Sequence, residues 1–302
     1  MPAFLANPHL LLATTAFLWG GNAVAGRFAV GHVSPMALTC LRWGIALALL
    51  SLFVRRPLRR DAPALRARWP YLLAMGGIGY ALFNYFLYSA LLTLPAVDVV
   101  LEQSAMPLII FALSFAFFGE RLRWLQLVGC AITMAGVLVV VSGGDVAGLL
   151  RERGGGLGIG DAFMLGAALC YGGYSVALRL KPQVHWLSFL WALVLAAFLV
   201  SLVALALEWS RGQVLWPTTL QGWLVVLYAG IFPSLVSQGF FIRGVEALGA
   251  GTAGLFINLV PVFGAVQAAL LLGEPFGWYH VVSFALVAGG ITLAQRAAAP
   301  KG

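Results

Sequence analysis

Long uninterrupted runs of apolar residues constrain this chain more than any other feature of its sequence. A helix needs about 20 residues to cross a hydrocarbon layer of roughly 30 Å, and runs of that length recur from end to end. We predict ten spans, at residues 9–30, 35–54, 71–92, 95–118, 122–142, 159–180, 186–207, 220–242, 247–272 and 276–295. Because the runs are continuously apolar rather than alternating, the spans are expected to be helices. The predicted fold class is therefore an all-α integral membrane protein.

The composition agrees with membrane residence. Hydrophobic residues make up 62% of the chain and charged residues only 9%, which a water-soluble core of 302 residues would not need. No Lys or Arg precedes Arg27, so the first span lacks the basic leader of a secretory signal and is expected to be retained. Cys40, Cys130 and Cys170 all fall inside spans, which predicts packing residues rather than a disulfide framework.

The net charge of +8 is explained by where the cations lie along the chain. Thirteen lie on the side of the N-terminus: Arg55, Arg56, Arg59, Arg60, Arg66, Arg68, Arg121, Arg123, Arg179, Lys181, Arg243, Arg296 and Lys301. Four lie on the opposite side: Arg27, Arg151, Arg153 and Arg211. The positive-inside rule then predicts that both termini are cytoplasmic and that the protein resides in the cell inner membrane. Nucleic acid is not an expected partner, whereas the lipid bilayer is.

Two stretches of the chain repeat each other. FLWGGNAVAGRFAV (17–30) and ALCYGGYSVALRLK (168–181) share Gly-Gly, Val, Ala and Arg in register at a shift of 152. At a shift of 154, a second pattern recurs as the pairs Pro107/Pro261, Gly119/Gly273, Glu120/Glu274, Trp124/Trp278, Val128/Val282, Ala131/Ala285 and Gly136/Gly290. Each unit holds five spans, an odd number, so the second copy is expected to enter the membrane upside down. We predict repeats at 1–142 and 159–302, joined by a linker at 143–158.

Patterns typical of enzymes are missing from the sequence. The Gly-rich GGGLGIG segment has no preceding strand and no nearby Lys, so it is not a phosphate-binding loop. No HExxH, GxSxG or paired-Cys pattern occurs, and the four histidines are expected to be isolated at span ends: His9, His32, His185 and His280. Neither enzymatic activity nor a bound cofactor or metal is expected.

WGGN at 19–22, Leu41-Arg42-Trp43 in the second span and the doubled P…GE…W…G pattern give the chain a recognisable signature. With its two five-span units, the chain resembles the EamA-type branch of the drug/metabolite transporter superfamily. The resemblance implies a secondary transporter, often an exporter, that alternates access to a central cavity for a small-molecule solute. It favours aromatic and neutral amino acids. Nucleotide sugars and drugs are alternative substrates, and a pore is the rival from another class.

One residue departs from related four-helix multidrug transporters. Those proteins carry a membrane-embedded Glu in their first helix, where this chain has Asn22. Proton-for-cation exchange through that position therefore cannot be carried over. A monomer is compatible with the sequence.

Charged side chains inside a bilayer are normally paired or face water. Arg42 and Glu102 each lie seven residues, about 10 Å, below the predicted outer surface, so we expect them to meet. Asp98 is one turn from Glu102 on the same face. Two interpretations stay open: a pair that locks the second and fourth spans, or an outer gate or proton-coupling carboxylate.

Polar and aromatic residues inside the spans are the candidates for a solute cavity. Asn84 and Gln238 align at the shift of 154, and each belongs to a stripe of residues at helical spacing. Each candidate could line a cavity, join helices by hydrogen bonds or fill the bundle. The candidates are Trp19, Asn22, Tyr80, Asn84, Tyr88, Gln103, Tyr171, Tyr174, Ser234, Gln238, Phe241 and Asn258.

The remaining features have mainly structural interpretations. Gly20, Gly21, Gly172 and Gly173 are expected to form flat faces on which the first and sixth spans approach each other. Glu120 and Glu274 precede spans and are expected to stabilise helix starts. Arg27 and Arg179 are expected to anchor span ends in the interface.

The predicted topology has a direct test. A Cys introduced at Ala62, in the most basic connection of the chain, should react with an impermeant thiol reagent only from the cytoplasmic side. Labelling from outside intact cells would contradict the topology.

Overall fold

The computed structural model describes residues 7–103, 106–119, 124–145, 147, 158–257 and 259–298, and these are helical almost throughout. The helices of the first half are α1 Pro8–Ala29, α2 Pro35–Phe53, α3 Arg55–Ala67, α4 Trp69–Gly76, α5 Phe83–Ala90, α6 Ala96–Glu102, α7 Met106–Phe118 and α8 Trp124–Val141. Those of the second half are α9 Ile159–Ala177, α10 Trp186–Ser210, α11 Leu220–Ile231, α12 Ser237–Ile257, α13 Leu259–Leu272 and α14 Trp278–Ala298. No strand occurs among these residues.

Local signals in the sequence set several helix starts. The side chain of Asn7 accepts hydrogen bonds from the backbone N–H groups of His9 and Leu10, and Pro8 opens α1. Thr219 caps α11 in the same way by accepting from the N–H of Gly222 at 3.1 Å. These caps explain why the predicted starts of the first and eighth spans, at 9 and 220, agree with the structure to within one residue.

The helices have the length and the surface of a membrane protein. Four stretches are long and apolar enough to cross a bilayer: Pro35–Phe53, Ile159–Leu180, Trp186–Ser210 and Leu220–Gly244. Large apolar side chains point outward, and Phe117, Leu220 and Leu270 are 75%, 76% and 78% exposed. Water is a poor solvent for such a surface and lipid a good one. The protein is therefore a multi-pass membrane protein.

The third and eighth spans each contain a short π-helical segment. Residues Gly77–Leu82 separate α4 from α5, and Phe232–Val236 separate α11 from α12. Shifted by 154, the first segment would cover residues 231–236, so the two irregularities correspond. Pro233 lacks an N–H, and Ser234 and Ser237 donate their hydroxyls to the carbonyls of Ala229 and Phe232. Such π turns are often found at functional sites.

Helices of the two halves interdigitate. The most extensive contact joins α8 to α14, and α2 packs on α10 while α6 packs on α13. Helix α1 packs on α12 and α13, and α9 packs on α5 and α7. The contacts of the first span with the eighth and ninth correspond to the contacts of the sixth span with the third and fourth, because each span is replaced by the span five positions away. The same replacement leaves the first three contacts unchanged.

The prediction that the glycine faces of the first and sixth spans approach each other is wrong. A Cβ on Gly20 would lie 2.6 Å from the backbone nitrogen of Gly264, so α1 approaches α13 rather than α9. A Cβ on Gly172 would lie 2.7 Å from Ile109 of α7. Close approach is thus made between a first span and a ninth, and between a sixth and a fourth. Gly21 faces the side chains of Tyr228 and Gln267.

Two elements differ from the predicted boundaries. The turn expected at residues 243–246 lies inside α12, where Val, Glu and Ala continue the helix and no Pro interrupts it. The basic connection at 55–67 forms the helix α3, whose residues are largely exposed except Leu65. Asp61 joins α3 to the second half, since its carboxylate accepts the N–H of His185 at 2.9 Å.

The glycine contact yields a prediction with a matched control. Gly20→Ala places a methyl group against backbone that cannot rotate away, so we expect a loss of about 1–3 kcal/mol from overpacking. Gly173→Ala meets no atom within 4 Å, so it should not lower stability and should raise it slightly, because Ala favours a helix more than Gly does. Thermal unfolding in detergent measures both, and equal midpoints for the two variants would contradict the close α1–α13 contact.

Candidate functional site

A buried guanidinium lies among four of the spans in the described structure. Arg42, on α2, is 3% exposed. Its Nε and Nη2 donate to the hydroxyl of Ser234 at 2.9 and 2.7 Å, and its Nη1 donates to Oδ1 of Asn22 at 3.1 Å. Nη1 also donates to Oδ1 of Asn84 and to the hydroxyl of Tyr88. We call these five residues the arginine cluster; it joins the first, second, third and eighth spans.

Each acceptor in the arginine cluster is oriented by a further hydrogen bond. Asn84 donates its amide nitrogen to the carbonyl of Tyr80 at 2.8 Å, which turns its oxygen toward Arg42. The hydroxyl of Tyr88 donates to Asn22 at 2.9 Å, and that of Ser234 donates to the carbonyl of Ala229 at 2.8 Å. The cluster is therefore pre-organised to surround a cation with oxygen atoms.

None of those oxygen atoms carries a formal charge. Among the described residues, no carboxylate lies within 4.0 Å of the Arg42 guanidinium. The ion pair between described residues joins Asp98 to His280 and does not involve Arg42. Nε and one N–H of Nη2 donate to Ser234, and Nη1 donates to Asn22, Asn84 and Tyr88. No described residue accepts a hydrogen bond from the second N–H of Nη2. A buried cation without a counter-ion and with a free donor can accept an anion.

A row of aromatic side chains begins beside Arg42. The guanidinium carbon lies 5.0 Å from the ring centre of Trp43, and Trp43 stacks on Tyr80 at 4.9 Å. Successive centroid distances from Tyr80 to Tyr174, from Tyr174 to Tyr171 and from Tyr171 to Phe83 are 5.3, 5.7 and 5.4 Å. We call these five residues the aromatic row. Because Tyr171 and Tyr174 belong to α9, both halves of the chain contribute to it.

Trp19 and Phe241 lie apart from this row. Their rings are 5.3 Å apart, and the indole N–H of Trp19 donates to the carbonyl of Pro233 at 3.3 Å. Together with Thr15, Phe256 and neighbouring apolar side chains they line a shallow cleft between α1 and α12. The cleft is a second place where aromatic side chains of the two halves meet.

The predicted pair of Arg42 and Glu102 does not form. Helix α2 packs on α10 and α11 whereas α6 packs on α13, so the two side chains face different neighbours. The side chain of Glu102 is in hydrogen-bonding contact with that of Asp161, on α9. Asp98 pairs instead with His280, whose Nε2 lies 3.2 Å from its carboxylate.

The acid before the last helix acts on a different helix from the one expected. Glu274 was expected to stabilise the start of the span that follows it. Its two carboxylate oxygens accept the N–H groups of Ala96 and Val97 at 2.8 and 3.0 Å, which caps α6 of the first half. The corresponding Glu120 lies outside the described residues. This end of the bundle is thus held together by contacts between the halves.

The structure brings some of the candidate cavity residues together and leaves others apart. Asn22, Asn84, Tyr88 and Ser234 surround Arg42, and Tyr80, Tyr171 and Tyr174 form the adjoining row. Gln103 and Gln238 are half-buried and are not among the partners of Arg42. Asn258 lies outside the described residues.

Three further polar residues near the site had weak or no signals in the sequence. The hydroxyl of Tyr228 donates to the carbonyl of Leu18 at 3.2 Å, and Gln267 donates to that of Phe17 at 3.0 Å. Tyr228 has Ala74 as its counterpart at the shift of 154, so the repeat could not single it out. The sequence predicts an isolated His280, because its partner Asp98 is 182 residues away along the chain.

Comparisons with known proteins agree with this architecture. Residues 7–142 and 158–295 match the EamA-like transporter family. The chain is 27% identical to the uncharacterized transporter YetK of Bacillus subtilis, over 94% of this chain and 85% of that protein. It is 28% identical to the aromatic amino acid exporter YddG of Ancylobacter novellus, over 96% and 97%. One solved crystal structure superposes with a TM-score of 0.66 at 23% identity, covering 96% and 97% of the two chains, which indicates a shared fold.

The family match covers nearly the whole chain, and the relatives named here are transporters rather than enzymes. The apolar helices and the buried polar site fit that description. The chain belongs to the EamA-like transporter family and is a multi-pass membrane transporter.

Proposed function

We propose that the protein is a secondary transporter that exports amino acids, including aromatic ones, by alternating access. The observation that carries the proposal is Arg42, a buried cation whose partners are all neutral and which lies at the start of an aromatic row. An amino acid offers the two groups that this arrangement lacks, a carboxylate for the guanidinium and a side chain for the row.

The carboxylate is the better-defined half of the recognition. A guanidinium and a carboxylate form charge-assisted hydrogen bonds that are shorter and stronger than neutral ones. The free N–H of Nη2 is one donor, and a solute can displace Ser234 to gain a second. The amide oxygens of Asn22 and Asn84 lie on the other side of the guanidinium and are acceptors suited to an ammonium group.

Alternating access is supported by the way the halves pack. We propose ten spans in two inverted repeats, at 1–142 and 159–302, joined by residues 143–158. The matched π segments and the exchange symmetry of the helix contacts are what such a duplication predicts. Both repeats would contribute to the cavity, as Arg42 and Ser234 already do. We further propose the cell inner membrane, with both termini cytoplasmic, on the distribution of Lys and Arg.

The relatives and the site chemistry favour amino acids over the alternatives. One relative is named an aromatic amino acid exporter, at 28% identity. A cationic drug would be repelled by Arg42. A nucleotide sugar would be attracted, so it is the alternative to test, although its two phosphates would face a single cation here. A pore requires a continuous polar path, whereas Arg42 is buried among tightly packed helices.

Arg42→Gln tests the site. Loss of a charge-assisted hydrogen bond weakens binding by about 1.5–3 kcal/mol, so we expect the half-saturation concentration for solute to rise about 10- to 100-fold. Counterflow of labelled aromatic amino acid in liposomes measures it, with UDP-glucose as the second solute. Arg27→Gln is the matched control, because Arg27 donates to the carbonyl of Leu91 at a span end. Unchanged half-saturation in the Arg42 variant would contradict the proposal, as would exchange of UDP-glucose alone.

The aromatic row generates a second prediction, about selectivity. Tyr174→Ala removes a ring from the middle of the row, so counterflow of phenylalanine and tryptophan should fall several-fold more than that of alanine. Tyr85→Ala is the control, since Tyr85 contacts Phe86 and Phe163 outside the row. Equal losses for aromatic and small solutes would remove the row from substrate selection.

A further inference from the structure

Three carboxyl groups from the two halves meet where α6 contacts α9. Glu102 and Asp161 are 7% and 6% exposed, and their side chains are in hydrogen-bonding contact. Asp98, one turn from Glu102, is the third. By the predicted topology this contact lies toward the outer face of the membrane.

The hydrogen bonds around these groups leave Glu102 unsatisfied. Asp98 has His280 as its partner, and Asp161 accepts the backbone N–H of Gly158 at 2.6 Å. Glu102 Oε1 is buried and receives no hydrogen bond from any described donor. Two carboxylates in contact in a water-poor environment cannot both be ionised, because their repulsion and desolvation are too unfavourable. One proton held between Glu102 and Asp161 removes the repulsion and supplies the missing donor.

The other described charged groups near this contact already have partners. On α14 and just before it, His280 pairs with Asp98, Glu274 caps α6, and Tyr279 packs against His280. Arg27 of α1 donates to the carbonyl of Leu91. The described residues of α8 and α13 contribute no Asp, Glu, His, Lys or Arg to this contact. Among the residues that the structure describes, no neighbouring cation is therefore available to take the place of the proton.

We propose that Glu102 and Asp161 form a one-proton binding site that is occupied while the two repeats are packed together here and is emptied when they separate. This inference rests on the proposed alternating access. When α6 and α9 part, the shared proton passes to water and both carboxylates become hydrated; when they repack, one proton is taken up. Because the packed state binds one proton more than the open state, acid favours the packed state. Opening of this end is thereby linked to release of a proton, so the balance between the packed and the open state depends on pH.

A solute-free accessibility assay tests the linkage. Val97→Cys places a thiol at a position that is 2% exposed on the first turns of α6, in a background where Cys40, Cys130 and Cys170 are replaced by Ala. In detergent, thiol labelling should accelerate several-fold as pH rises, after correction for thiolate formation with a free thiol. Glu102→Gln supplies an amide that donates to Asp161 without titrating, so labelling should be slow and independent of pH. Asp61→Asn, which removes a carboxyl from the distant α3 contact, should keep the parent profile.

Two further results separate this site from its neighbours and from misfolding. Replacing His280 by Gln should preserve the pH dependence of thiol labelling. If labelling lost its pH dependence in His280→Gln but kept it in Glu102→Gln, the linkage would belong to the Asp98–His280 pair and the proposal would be overturned. Infrared spectroscopy of the unmodified protein should show a protonated carboxyl at neutral pH that Asp161→Asn removes, and its absence from the unmodified protein would also overturn it. Neither assay contains solute, so a wrong substrate would leave both results intact.

Discussion

The buried guanidinium of Arg42 is the constraint on which the rest of the site depends. A charged side chain near the middle of a bilayer costs about 2.5–3.5 kcal/mol on insertion scales, and this one is surrounded by helices rather than by water. Four neutral side chains from three other spans turn their oxygen atoms toward it, each oriented by its own bonds. Their dipoles reduce the cost without neutralising the charge, which leaves the site complementary to an anion.

The charge also breaks the symmetry of the duplicated chain. At a shift of 152 the counterpart of Arg42 is Val194, and at 154 it is Ala196; both are buried and apolar. The two halves share close helix contacts and matched π segments, yet among the described residues Arg42 is the one buried Lys or Arg. Two similar halves can rock about a common site, while one guanidinium fixes the orientation of an asymmetric solute within it.

Most of the membrane architecture could be predicted from the sequence, because hydropathy and caps such as Asn7 and Thr219 mark the ends of helices. The polar residues around Arg42 could also be identified individually, since amides and hydroxyls inside apolar spans are unusual. The residues with which each of them forms contacts could not be predicted. Helical rise gives the depth of Arg42 and Glu102 but not the direction in which each helix faces, and that direction depends on packing between the halves. For the same reason Gly20 was matched with the wrong helix, and the link from Asp98 to His280 was missed.

The central claim is that a solute carboxylate completes the coordination of Arg42. A crystal structure with bound 4-bromophenylalanine tests it most directly, because the bromine can be located independently by its anomalous scattering. The account predicts a carboxylate on the guanidinium of Arg42 and a bromine beside the rings of Tyr80, Tyr171 and Tyr174. A ligand found instead in the cleft between Trp19 and Phe241, with the arginine cluster unchanged, would contradict it.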